Sequence, residues 1–264
     1  MRLAVFSPTY RPGGLDVLEA SLMRQSFKDF IWIVGDQRFA KRYITWEEIQ
    51  KRVDFEIMWL SSPIMDGNKR NLCELYNGAA DFVVQNNIDM LVSLQDYIYL
   101  PEDGLEKFVS VNKLFPNDLL TGVTHISRDP FPNKIVDLEG SYTIFAEPYT
   151  DKPKHLSWKD VRVSELYIVG DDILPVQTGH WEANWAAVPK NILEAGIRWD
   201  SAYDKGIAYE NMDFAQQANK NLGAKVILDK TNVAISLPHK DYFEGEREEI
   251  EEFSNRNYYE KKWL

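Results

Sequence analysis

Cysteine is nearly absent: Cys73 is the only one in 264 residues. A lone thiol forms neither a disulfide within the chain nor a cysteine-based zinc site, and it fits a reducing compartment. Positive charge is also scarce. Lys and Arg number 30 against 41 Asp and Glu, giving a formal net charge of −11 and a pI near 4.9. That balance argues against the basic face with which nucleic-acid binders neutralise phosphates. It argues equally against a polybasic anchor on anionic lipid, so any peripheral membrane association has to come from something other than charge. No apolar run approaches the roughly 20 residues of a membrane-spanning helix. The run at residues 1–6 is too short for a signal peptide before Ser7-Pro8 ends it, and the expected location is the cytoplasm.

What is abundant is apolar and aromatic. Hydrophobic residues make up 44% of the chain and aromatics 13%, with eight Trp, so a full core needs no staples. Residues 3–6, 30–34, 54–60 and 89–94 read as short buried strands. Between them, Leu15, Leu18 and Leu22 recur at helical spacing, as do Leu72, Leu75, Ala79, Phe82 and Val83 within a helix predicted over 68–86. This alternation predicts a parallel sheet with helices on both faces. The second half is less regular. Residues 128–160, with Pro130, Pro132, Pro148 and Pro153, read as loops or a flap; 180–188 as a strand; 190–195 as a short helix; 196–206 as a loop. Residues 211–222 read as a helix ended by Gly223, followed by strands at 225–228 and 233–237. Residues 241–252 hold seven acids and one base and read as a solvated helix. One integrated domain over 1–240 with an acidic helical tail over 241–264 is expected.

Ligands of open α/β sheets bind beyond the carboxyl ends of the strands, so the segments after each strand carry the argument. Ser7-Pro8-Thr9-Tyr10-Arg11 offers a hydroxyl and an aromatic at the first strand end. Asp36 ends the second and is placed to accept from a base N–H. Gly67-Asn68-Lys69-Arg70-Asn71 puts two cations at a helix start, where the helix dipole favours an anion rather than a cation, and a phosphate would resolve the conflict. In Ser93-Leu94-Gln95-Asp96 an apolar strand ends on one acid, a residue type that holds Mg²⁺ or Mn²⁺. Tyr209-Glu210-Asn211-Met212-Asp213 opens a helix with two acids, either helix caps or a carboxylate base. His239 follows the last strand.

Taken in this order, these segments resemble the inverting glycosyltransferases of family 2. The resemblance spans about residues 2–239. It is carried by Ser7-Pro8-Thr9-Tyr10, Ser21-Leu22 with Gln25, Ile33-Val34-Gly35-Asp36, Lys69-Arg70-Asn71, Asp96 five residues before Pro101, Gly196 to Asp200 with Tyr203, and Glu210 to Ala215. It implies a GT-A fold, a Rossmann-like mixed and mostly parallel sheet flanked by helices. It implies a nucleotide-sugar donor bound by Pro8, Thr9, Tyr10, Asp36, Lys69, Arg70 and Gln95. Asp96 and His239 would hold Mn²⁺ or Mg²⁺ on the diphosphate. Trp181, Glu182 and Trp199 would frame the acceptor, a hydroxyl of a glycan, a lipid-linked carrier or a small molecule.

Two departures from the family pattern stand out. Leu94-Gln95-Asp96 keeps one acid where an Asp-x-Asp is usual, and Asn211 stands where the catalytic aspartate is usual. The expected base is therefore Glu210, with Asp213, three residues on and on the same helix face, as the other candidate. The same departures keep open a non-catalytic nucleotide- or carbohydrate-binding protein of this fold. A sugar nucleotidyltransferase is a weaker rival, because it needs a Gly-rich basic loop directly after the first strand and Gly13-Gly14 come late.

Overall fold

The structure is a computed structural model that describes residues 1–9, 15–36, 46–61, 71–96, 98–127, 135–138, 142–145, 156–158, 160–164, 171–205, 208–236 and 246–264. Four apolar segments form the first strands: β1 (Leu3–Thr9), β2 (Phe30–Asp36), β3 (Glu56–Ser61) and β4 (Met90–Leu94). Every residue of β1, β2 and β4 is buried, which is why they read as unbroken apolar runs rather than alternating ones. β1 lies between β2 and β4, parallel to both, and β3 extends the parallel set beyond β2.

Strand alternation sends successive side chains to opposite faces. Ala4 and Phe6 join one core with α3 (Leu72–Gln85), α6 (Lys190–Glu194) and α7 (Glu210–Leu222). Leu3 and Val5 join the other with α1 (Leu15–Met23), α2 (Trp46–Gln50) and α4 (Gly104–Leu114). The result is a mixed α/β fold with a largely parallel central sheet flanked by helices, as expected.

Beyond β4 the sheet turns mixed. Its main path runs β10 (Ile173–Val176), β12 (Val226–Ser236), β6 (Leu119–Ser127), β11 (Trp185–Pro189), β4, β1, β2, β3. The short β5 (Ile98–Tyr99) pairs with β12, and β9 (Leu156–Trp158) with β6. β11 is antiparallel to both β4 and β6. Gly122 on β6 permits this close approach: a Cβ there would lie 2.3 Å from the Trp185 ring and 2.6 Å from the Asn232 carbonyl.

Several local readings change. The strands expected at 225–228 and 233–237 are one strand, β12, whose register against β6 shifts between Leu228 and Val233. There the Asp229 carboxylate accepts from the Thr231 N–H and hydroxyl, making a turn inside the strand. The strand expected over 180–188 is a 3₁₀ turn, Thr178–His180, followed by β11. The 196–206 loop contains a 3₁₀ turn, Ser201–Lys205. Within 128–160 lie the antiparallel pair β7 (Ile135–Leu138) and β8 (Tyr142–Phe145) as well as β9, with α5 (Val161–Ser164) just after it. Gly223 ends α7 at φ 71°, the left-handed cap expected of it. The tail forms α8 (Glu246–Trp263), and its last turns are not merely solvated but pack against the body. Among the described residues no helix is long and apolar enough to cross a membrane.

Candidate active site

β1, β2 and β4 end side by side, and their last residues form one edge. Register pairs Thr9 with Asp36, and the Thr9 hydroxyl donates to Asp96 Oδ2 at 2.9 Å. Asp36 and Asp96 are 1% and 3% exposed. Two carboxylates buried at a strand edge are expensive unless they serve a ligand or a network. Pro8 is buried in β1 behind them, and Gln95 is half-buried beside Asp96.

The opposite wall comes from the segment leading into β11. Trp185 pairs with Leu94, and the Gln95 N–H donates to the Asn184 carbonyl at 3.1 Å, so the antiparallel register continues past the end of β4. The Ser93 hydroxyl donates to the Ala183 carbonyl and also meets the Tyr76 hydroxyl at 2.7 Å. This pins residues 182–184 at the level of Asp96. The chain is extended at Trp181 (φ −79°, ψ 114°), so His180 and Glu182 share the face opposite the Trp181 ring. Glu182 is 39% exposed and 3.9 Å from Arg162 Nη2. Burial raises its carboxyl above the usual range, with the Arg162 charge opposing. Burial and the same guanidinium lower the imidazole of His180.

Trp181 and Trp199 do not frame an acceptor with their rings. They are 1% and 2% exposed and stack on Phe214 at 5.3 and 3.9 Å between centroids. Their indole N–H groups are used internally, by the Leu120 carbonyl at 3.1 Å and Asn211 Oδ1 at 3.2 Å. Their apolar area is worth more in the core than in a polar cleft. Glu182 alone of the three expected acceptor residues is partly exposed.

The first turn of α3 already carries one carboxylate of the protein itself. The Asp204 carboxylate accepts from the backbone N–H of Cys73 at 2.8 Å and of Glu74 at 3.3 Å. A carboxylate borrowed from residue 204 thus meets two of the free N–H groups at this helix start. Lys69 and Arg70, like Tyr10 and His239, lie outside the described residues.

α7 begins under strain. Ala208 and Tyr209 hold φ of 64° and 69°, a conformation that non-glycine residues rarely adopt, immediately before Glu210. Glu210 Oε1 accepts from the Asn211 amide at 3.0 Å, while Asn211 Oδ1 accepts from Trp199. Beyond the larger effect of burial, the charge of Glu210 helps raise the Cys73 thiol and the Tyr76 hydroxyl. The Trp199 ring that donates to Asn211 stacks on Tyr76 at 4.5 Å between centroids, and the Tyr76 hydroxyl bonds Ser93 at the end of β4. Asp213, the other candidate base, is fully buried and turned away. Its Oδ1 accepts from Trp263 Nε1 at 2.6 Å and Tyr203 at 3.3 Å, its Oδ2 from Gln217 at 2.6 Å, and Lys262 bridges both oxygens. With this many donors it is a structural anchor.

Among the described residues no group of three or more His, Cys, Asp or Glu is arranged to hold a metal ion. Asp96 offers one carboxylate already bonded to Thr9. That donor set alone does not fit a divalent cation.

Sequence reasoning passed over the polar groups that lock this region. Asp160 and Arg162 are 0% and 1% exposed and ion-paired, and Arg162 also donates to Thr121, the Gly122 carbonyl and the His180 carbonyl. Burial alone would raise the Asp160 carboxyl, but hydrogen bonds from Arg162 and its charge hold it below the usual range. Asn255, in the tail, is 3% exposed. The one available signal was the spacing of Asn255, Tyr258, Tyr259, Lys262 and Trp263, which places them on one helix face.

No family model and no curated protein sequence matches the chain. Solved structures do. TarS 1-349 of S. aureus, in complex with UDP-GlcNAc, aligns over 94% of this chain with TM-score 0.57 and 14% identity. The mannosyltransferase PcManGT of Pyrobaculum calidifontis, in complex with GDP-Man and Mn²⁺, aligns over 91% with TM-score 0.53 and 14% identity. The chain spans about three fifths of these structures, 61% and 58%. The likeness is one of fold.

Proposed function

We propose that this chain is a glycosyltransferase that moves a sugar from a nucleotide diphosphate to a hydroxyl acceptor. One observation carries the reading: Thr9, Asp36 and Asp96 converge at the carboxyl edge of three adjacent parallel strands, facing the pinned 182–184 segment. The fold is shared with structures described as complexes with UDP-GlcNAc and GDP-Man, which supports a nucleotide-sugar donor at that edge.

In this reading Asp36 accepts from the base, and Pro8, Thr9, Tyr10 and Gln95 line the nucleoside. Lys69 and Arg70 face the diphosphate and offset the acidic field of the protein. Glu182 orients the acceptor. Glu210 removes the proton of the acceptor hydroxyl, whose oxygen forms the new bond to the anomeric carbon as the bond to the diphosphate breaks. Attack from the face opposite the leaving group inverts the anomeric centre. The nucleoside diphosphate departs with the electron pair. Asp96 and His239 remain the proposed ligands of Mn²⁺ or Mg²⁺, and no step above is routed through the ion.

A second reading, a binding protein without turnover, is favoured by one fact: the first turn of α7 has a carboxamide at Asn211 and a fully engaged carboxylate at Asp213. The separating experiment is calorimetry and turnover with a panel of nucleotide sugars, with and without Mn²⁺. The transferase reading expects release of nucleoside diphosphate, lost in Asp36→Ala with binding and in Glu210→Gln without it. Binding with no release across the panel favours the second reading, and no binding at all rejects both. Nucleotide binding unchanged by chelation rejects the metal assignment.

A further inference from the structure

Two side chains from distant parts of the sequence grip the short stretch that presents Glu210. At its front, Asp204 accepts from the α3 backbone at Cys73 and Glu74. At its back, the buried amide of Asn255 donates from one nitrogen to the Tyr203 and Ala208 carbonyls, each at 3.0 Å. Ala208 and Tyr209 are the two positive-φ residues before Glu210. Such a conformation is costly for a non-glycine residue and persists only where the surroundings over-determine it. The helix that brings Asn255 is itself anchored a turn or two further on. Tyr258 and Lys262 donate to Asp200 Oδ2, both at 2.9 Å, and Lys262 and Trp263 reach Asp213 in α7. Tyr259 packs on Tyr209 at 5.6 Å between ring centroids.

We propose that Asn255 is a positioning residue: through it, α8 holds the strained entry to α7 and thereby sets the Glu210 carboxylate against the acceptor. The proposal rests on the transferase reading for its kinetic consequence, but its structural core does not. A helix anchored only for stability needs no amide on the Ala208 carbonyl, since Lys262, Trp263 and the tyrosines already fix it. A donor aimed at the residue that carries the strain marks the 208–210 conformation as the object held. The amide must be a donor here: the isosteric Asn255→Asp substitution would set a carboxylate against two carbonyl oxygens.

The experiment compares wild type with Asn255→Ala, Asn255→Asp and Asn255→Gln. It reads thermal melting, nucleoside diphosphate affinity, amide exchange of the 206–212 stretch and steady-state transfer. The expected result is exchange at least tenfold faster in the Ala and Asp variants, confined to that stretch. It comes with kcat at least tenfold lower, and with nucleotide affinity and donor KM within twofold of wild type. Asn255→Gln, which keeps the donor, recovers part of both. Equal losses in kcat and donor affinity, or unchanged exchange in folded Ala and Asp variants, overturn the proposal. If the Ala variant does not fold, the near-isosteric Asp and the donor-retaining Gln variants carry the same comparison. If wild type transfers no sugar while exchange responds as expected, the transferase reading fails and the clamp on 208–210 stands.

Discussion

The two halves of the site are held in place by different forces. On the β1–β4 side, position follows from register: three buried parallel strands, β1, β2 and β4, carry their end residues to one edge, and Thr9, Asp36 and Asp96 arrive there because the apolar residues behind them pack. On the β11–α7–α8 side, position follows from polar ties. Arg162 and Asp160 lock β6 to the turn at His180, and Asp213 collects Lys262, Trp263, Tyr203 and Gln217. A half built on register resists the loss of any one polar group. A half built on ties concentrates its energy in a few of them and answers sharply to charge.

Removing Arg162 should therefore have the largest effect. Arg162→Met leaves Asp160 buried with only backbone donors, and breaking one partner of a buried pair costs about 3–5 kcal/mol. Urea unfolding should show that loss. A change under about 1 kcal/mol would mean that the two halves are held alike.

Next comes a contrast within α7. Glu210→Gln should lower kcat by roughly 10²–10⁴, the usual worth of a general base, and leave the melting temperature nearly unchanged. Asp213→Asn should do the reverse. It weakens charge-assisted bonds from Lys262 and Trp263 and should cost about 2–3 kcal/mol of stability, with kcat falling less than tenfold. A larger kcat loss in Asp213→Asn than in Glu210→Gln would return the base to Asp213.

On the register side, Thr9→Val keeps the β-branched shape and deletes the donor to Asp96. The cost should be about 1–2 kcal/mol, seen in folding stability and in nucleoside diphosphate affinity alike. A Thr9→Val protein with wild-type affinity would detach Asp96 from the nucleotide edge.

The same contrast explains what the sequence disclosed. Leu3 to Phe6 and Phe30 to Val34 are unbroken apolar runs, so the first strands and their parallel arrangement were legible, and with them the strand-end positions of Asp36 and Asp96. Gly223 announced the end of α7 because only a left-handed cap calls for it there. Polar ties leave no such periodic trace. Nothing local links Arg162 to His180, Asp204 to Cys73, or Asn255 to Ala208, which are separated by 18, 131 and 47 residues. Trp181 and Trp199 show the converse error: large aromatics near a motif are read as ligand platforms, but burial against Phe214 satisfies them first. The strong acidity of residues 241–252 likewise masked the inward-facing stripe at the end of the same helix.

The smallest expected effect tests the boundary between the halves. Glu182 lies on the polar side but faces the register-built edge, and burial pushes its carboxyl above the ordinary glutamate value of about 4.5 against the opposing charge of Arg162. A carboxyl with a raised folded value destabilises the native state where it is ionised. Below about pH 4.5 both states hold the proton and no penalty exists; as pH rises past that point the unfolded chain ionises first and folding loses ground, levelling off above the folded value. Glu182→Gln removes that penalty. Because the side chain is 39% exposed, solvent screening keeps the gain below about 1 kcal/mol. The variant should melt slightly higher than wild type at pH 7 and equally at pH 4, while acceptor KM rises and nucleotide affinity is unchanged. A lower melting temperature at pH 7 would mean that the Arg162 charge wins over burial, and Glu182 would then be one more tie of the polar half rather than a free wall of the cleft.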